Sequence, residues 1–100
     1  MADDDGIDRW RERIDAVDRQ IVDLLNERSR CALAIGEVKS RDGLPFYDPA
    51  REAEIVASAI AANAGPLEDD AIRRLFERIL DESRRLERTA AAPPPQKRES

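Results

Sequence analysis

Arg28 and Lys39 stand eleven residues apart in a stretch free of proline. On an α-helix that spacing is close to three full turns, so both cations point to nearly the same side. Arg11 lies seventeen residues before Arg28, roughly 25 Å along a helix axis and about a quarter-turn away. One chain cannot bring Arg11 and Arg28 to the same small molecule; an antiparallel second copy of the helix could. A lone arginine beside an apolar face commonly snorkels its head into water. Arg28 and Lys39 together are different, because buried cations are costly unless paired. Ser83 and Glu87, facing them from a later helix, supply too little negative charge to pair them all. An anionic ligand would complete the balance, and cations converging in an apolar cavity suit a small polycarboxylate.

Asp48, Arg51 and Glu52 form a second cluster. Asp48 is explained by helix capping and Glu52 by its favourable place near a helix N-terminus. Arg51 opposes the helix dipole there, so a structural and a ligand-binding account of the cluster both stay open. The sequence contains no histidine, which removes Ser-His-Asp and Cys-His chemistry and the usual zinc sites. A single cysteine, Cys31, forbids an internal disulfide, and its place in an apolar stripe predicts a small buried hydrophobe.

The elements that must position these residues are helices. Ile7, Trp10, Ile14, Val17, Ile21, Leu24, Cys31, Ile35 and Val38 follow an alternating three-and-four rhythm whose one missing member is Arg28. This predicts a helix from about Ile7 to Arg41, stopped by Asp42-Gly43 and Pro45. At 1.5 Å per residue it is on the order of 50 Å long, too long to fold back within so small a domain. A second helix starts with Asp48 as N-cap and Pro49 in the first position, shows Ile55, Val56, Ala59 and Ile60 on one face, and ends at Asn63, Gly65 and Pro66. A third begins near Asp69 or Asp70, and Ile72, Leu75, Phe76, Ile79, Leu80 and Leu86 form its stripe, with Ser83 in a stripe position. Residues 1–6 are expected to be disordered, 7–90 to form the folded domain, and 91–100, with Pro93-Pro94-Pro95, to be a disordered tail.

Composition agrees with this reading. Charged residues make up 39% of the 100-residue chain and aromatics 4%, which suits amphipathic helices better than a β-sandwich. A net charge of −5 argues against nucleic-acid binding. No run of apolar residues is long enough to span a bilayer, and the acidic start does not read as a secretory signal, so a cytoplasmic protein is expected. A domain this small is short of buried core, and a second copy is the natural source of more.

At this point the residues match a family. Trp10-Arg-Glu-Arg-Ile-Asp-Ala-Val-Asp18 followed by Leu24-Leu-Asn-Glu-Arg28 resembles the opening of the all-α chorismate mutases, the AroQ class. The resemblance continues through Ile35-Gly-Glu-Val-Lys39, Asp48-Pro-Ala-Arg-Glu52, Leu75-Phe76 and Ser83, covering roughly residues 7 to 88. It implies an all-α fold of three helices per chain, one long and two shorter, in an intertwined homodimer with two active sites. It implies that Arg11 is donated across the interface and that Arg11 and Arg28, with Ser83 beside them, bind the carboxylates of chorismate. Lys39 would contact the ether oxygen and a carboxylate. Asp48, Arg51 and Glu52 would hold the hydroxyl-bearing side, and Ile35 would pack against the ring. The reaction is an intramolecular Claisen rearrangement, so no metal or other cofactor is expected. The commonest bacterial pattern has glutamine four residues after the serine; here Glu87 stands there, a residue known in some eukaryotic members. A carboxylate donates to the ether oxygen only when protonated. Arg84 and Arg85 also replace residues that are often apolar or neutral.

Two other readings stay open. An isochorismate pyruvate-lyase shares the fold and the cationic pocket, although Asp48-x-x-Arg51-Glu52 and the loop from Ser40 to Tyr47 look more like a mutase. A non-catalytic helical dimerisation module explains the heptads but not the interruption at Arg28. No fused dehydratase, dehydrogenase or synthase segment is expected after the third helix. Arg28→Leu separates enzyme from coiled coil: a mutase loses its activity, whereas a pure coiled coil gains thermal stability in a melting experiment.

Overall fold

The computed structural model describes residues 2–91, with side chains from 6 to 90. Three helices follow in order: α1 Ala2–Asp42, α2 Pro49–Ala61 and α3 Asp69–Ala91. Among the described residues there is no strand. The all-α, three-helix expectation holds.

Each boundary has a local cause. α1 begins five residues before the expected Ile7, so residues 2–6 are helical where disorder was expected; Met1 lies outside the described residues. An isolated glycine such as Gly6 costs only about 1 kcal/mol in a helix and does not stop one that continues for several turns. At the other end Gly43 takes a φ of 72°, and the Leu44 N–H reaches the Lys39 carbonyl at 2.8 Å. That is the left-handed cap a glycine supplies without strain. Asp48 caps α2 as expected, its carboxylate accepting from the Arg51 N–H at 3.1 Å, with Pro49 in the first turn. Between α2 and α3, the Asn63 side-chain amide donates to the Leu67 carbonyl at 2.8 Å and to Asp69 at 2.9 Å. Its amide oxygen accepts from the Gly65 N–H at 3.0 Å. One side chain thus ties the turn to the first residue of α3. The helix runs to Ala91, and the rest of the expected tail lies outside the described residues.

The chain divides into two compact units, Met1–Cys31 and Ala32–Ser100. The first is the larger part of α1. Its heptad residues Trp10, Ile14, Ile21 and Leu24 are all exposed. Cys31 is exposed too, correcting the expectation of a buried thiol. The apolar stripe is present, but nothing within the first unit covers it. The second unit holds the end of α1 together with α2 and α3. There Val56 and Leu80, 8% and 6% exposed, form the buried apolar pair between α2 and α3. Ile55, Ile60, Ile72, Phe76, Ile79 and Leu86 are half-buried around them, and Leu75, expected in the same stripe, is exposed. Among the described residues no helix is long and apolar enough to cross a membrane.

With so small a core, Leu80 carries a large share of it. Leu80→Ala should cost about 2–5 kcal/mol of stability, read as a lower urea midpoint at unchanged m-value.

Candidate active site

The nine residues singled out by sequence fall into the two units as follows. Arg11 and Arg28 belong to the first. Arg11 is exposed and faces Asp8, one turn earlier on the same helix, at 4.0 Å, and Arg28 is half-buried. Ile35, Lys39, Asp48, Arg51, Glu52, Ser83 and Glu87 belong to the second.

In the second unit the last turns of α1 bring Lys39 to the loop before α2. Its Nζ, half-buried, donates to the Phe46 carbonyl at 3.1 Å. Gly36, less than one turn before it, is buried. A Cβ at that position would lie 3.6 Å from Cγ of Glu87, 3.8 Å from its Oε2 and 3.8 Å from Cε1 of Phe46. The Glu87 side chain and the Phe46 ring thus both pack against α1 at Gly36, within ordinary van der Waals reach of a Cβ placed there. A cavity of about 590 Å³ opens here, lined by Leu33, Gly36, Ser40, Phe46, Glu87 and Ala90 among others. Ile35 is exposed. Ser83 and Glu87 are half-buried, four residues apart on α3 and so on neighbouring turns of one face.

The three residues of the second cluster take separate partners. Asp48 spends its carboxylate on the Arg51 N–H. The Arg51 guanidinium turns to Glu54 at 3.3 Å, and both side chains are exposed. Glu52 turns the other way, to Arg84 of α3. Adjacent residues on a helix point about 100° apart, which is why neighbours in sequence separate here.

Arg84 is the functional-looking residue that spacing alone did not single out. Its guanidinium donates to Glu52 and, at 3.1 Å, to Asp81, and lies 5.5 Å from the centre of the Tyr47 ring. The hydrogen bond to Glu52 raises the guanidinium above its ordinary value, burial opposes this, and the charges of Glu52 and Asp81 add to it. Arg84 is a permanent cation. A signal for it existed: it follows Leu80 by four residues, on the face that α3 turns towards α2. Glu52 and Arg84 also form one end of a groove of about 630 Å³ between α2 and α3, lined further by Val56, Ile60, Arg73 and Glu77. The described residues of the second unit thus offer cations, hydrogen-bond donors and an apolar surround. That set can grip an oxygen-rich anion and stabilise charge that develops on it.

Comparison with known proteins agrees. The family model described as chorismate mutase type II matches residues 10–88. The bifunctional chorismate mutase/prephenate dehydratase of Pseudomonas aeruginosa is 36% identical over 87% of this chain, which spans only 25% of that relative's length. The 4-amino-4-deoxychorismate mutase of Streptomyces pristinaespiralis is 35% identical over 83% of this chain and 65% of its own. The solved chorismate mutase (form II) of Thermus thermophilus superposes with a TM-score of 0.80 at 44% identity, covering 82% of this chain and 93% of that one. With a family match over most of its length and a solved relative of the same fold, this chain belongs to the chorismate mutase type II family.

Proposed function

We propose that the protein is a cytoplasmic, homodimeric chorismate mutase that converts chorismate to prephenate. The observation that carries this reading is the family match over residues 10–88, which takes in every candidate residue from Arg11 to Glu87.

In the rearrangement one C–O bond breaks as one C–C bond forms within a single molecule. No proton, electron or water is exchanged, so no nucleophile is needed. Catalysis consists of holding the folded reactive conformer and stabilising negative charge on the ether oxygen. Arg28, and Arg11 from a second copy, grip the carboxylates beside Ser83. Lys39 points at the ether oxygen and a carboxylate. An ammonium has three N–H donors, and the Phe46 carbonyl takes one of Lys39's, so it orients the group and leaves two for substrate. Glu87, in its protonated form, gives a further hydrogen bond to the ether oxygen. Asp48, Arg51 and Glu52 hold the hydroxyl-bearing side, and Ile35 packs against the ring. The second copy is supported by the exposed heptad face of α1, which includes Trp10, Ile14 and Leu24. Apolar surface of that extent is normally covered in a stable protein.

The direct test supplies chorismate and, separately, isochorismate to the purified protein and identifies the products. Prephenate from chorismate is expected; pyruvate with salicylate from isochorismate would instead identify a lyase. Mixing two inactive variants tests the shared site. Arg11→Ala and Arg28→Ala, co-refolded in equal amounts, should recover about a quarter of wild-type activity, because half the dimers pair unlike chains and each of those has one intact site. No recovery would place both arginines in the same chain's site. Because a carboxyl donates only while it holds its proton and an amide donates at any pH, Glu87→Gln should flatten the pH profile of kcat/KM. An unchanged profile in that variant would remove Glu87 from the ether-oxygen role.

A further inference from the structure

No step of the proposed rearrangement uses Arg84, yet Arg84 is paired with Glu52, a proposed substrate-binding residue. Its side chain and that of Glu52 are 29% and 21% exposed, against 64% and 68% for Arg51 and Glu54. It joins three segments: Tyr47 in the loop before α2, Glu52 in the first turn of α2, and Asp81 on α3. Asp81 is also approached by Arg78 at 3.8 Å, so its charge is shared between two guanidiniums.

The consequence for Glu52 is electrostatic. Its carboxylate accepts from Arg84 through Oε1, and a carboxylate has about four lone-pair sites in all. Capacity remains to accept a hydrogen bond from a neutral hydroxyl. A protonated amine in the same place would meet a carboxylate whose charge Arg84 already offsets, with the guanidinium itself a few ångströms away. Whatever the sum over Glu52, Asp81, Arg78 and Arg84, one positive charge at position 84 disfavours a cationic substituent and leaves a neutral one largely unaffected.

Resting on the proposed reading, in which Glu52 meets the hydroxyl-bearing side of the substrate, we propose that Arg84 is a specificity-determining residue. Through its pair with Glu52 it selects a ring hydroxyl over a ring ammonium. Arg84 also fixes the Glu52 rotamer, so charge and geometry need separate variants.

The experiment compares kcat/KM for chorismate and for 4-amino-4-deoxychorismate, in which an amine replaces the ring hydroxyl, using wild type, Arg84→Gln and Arg84→Lys. Wild type should favour the hydroxyl substrate. Arg84→Gln should shift the ratio towards the amine by about tenfold or more, and Arg84→Lys, which keeps the charge, should stay near the wild-type ratio. Because the readout is a ratio on one preparation, a partly folded variant does not distort it. If the glutamine variant yields no folded protein, wild type still decides: equal turnover of the two substrates overturns the proposal. Equal shifts in the glutamine and lysine variants, or none in the glutamine variant, overturn it while leaving the mutase reading intact. A wild-type protein inactive on both compounds overturns the mutase reading itself, and this one with it.

Discussion

Apolar burial within one chain is the scarce quantity in this protein. Among the described residues Val56 and Leu80 are the buried apolar side chains, whereas α1 carries a heptad face from Ile7 onward that is exposed within the chain. Each Å² of apolar surface removed from water is worth roughly 25 cal/mol, so an uncovered stripe of this kind forgoes much of the stabilisation its sequence encodes. A domain of this size has little else to draw on. The proposed pairing of two copies answers that deficit, and it answers the chemical one as well. Arg11 and Arg28 are too far apart along one helix to meet one substrate, and in the proposed dimer a second helix running the opposite way would supply the missing cation. Stability and catalysis then share one cause.

The chemistry matches what a helical scaffold can offer. A rearrangement that moves electrons within one molecule asks only for shape and charge, and helices present charged side chains at fixed angular intervals. The cost is that such charges stand near apolar faces, where each needs a partner. Lys39 has the Phe46 carbonyl and Arg84 has Glu52 and Asp81. Asp48 is occupied at the α2 N-terminus. These partners fix rotamers before any substrate arrives, and preorganisation of that kind lowers the entropic cost of binding.

Much of this is legible in the sequence, and what is not has a common reason. Helix boundaries follow from local chemistry: Gly43 at a left-handed cap, Asp48 and Pro49 at a start, Asn63 and Gly65 at a turn. Those features act within a few residues, and spacing reads them well. Periodicity also gives the face a residue occupies. It does not give the partner that meets that face. Thus spacing groups Glu52 with its neighbours Asp48 and Arg51, although it joins Arg84, 32 residues away. Periodicity puts Cys31 in a buried stripe, although the stripe is uncovered within its unit. Family resemblance supplies roles for nine residues, but Arg84, where this chain departs from the pattern, needs coordinates.

The Asn63 turn bears on how the molecule ages. Asparagine side chains hydrolyse slowly to aspartate, and here that exchange would replace an NH2 that donates twice by an oxygen that can only accept. The new carboxylate would confront the Leu67 carbonyl and the Asp69 carboxylate, both of which Asn63 now serves. A single spontaneous deamidation would therefore turn the clasp between α2 and α3 into a point of repulsion, beside the start of the helix that carries Leu80, Ser83 and Glu87.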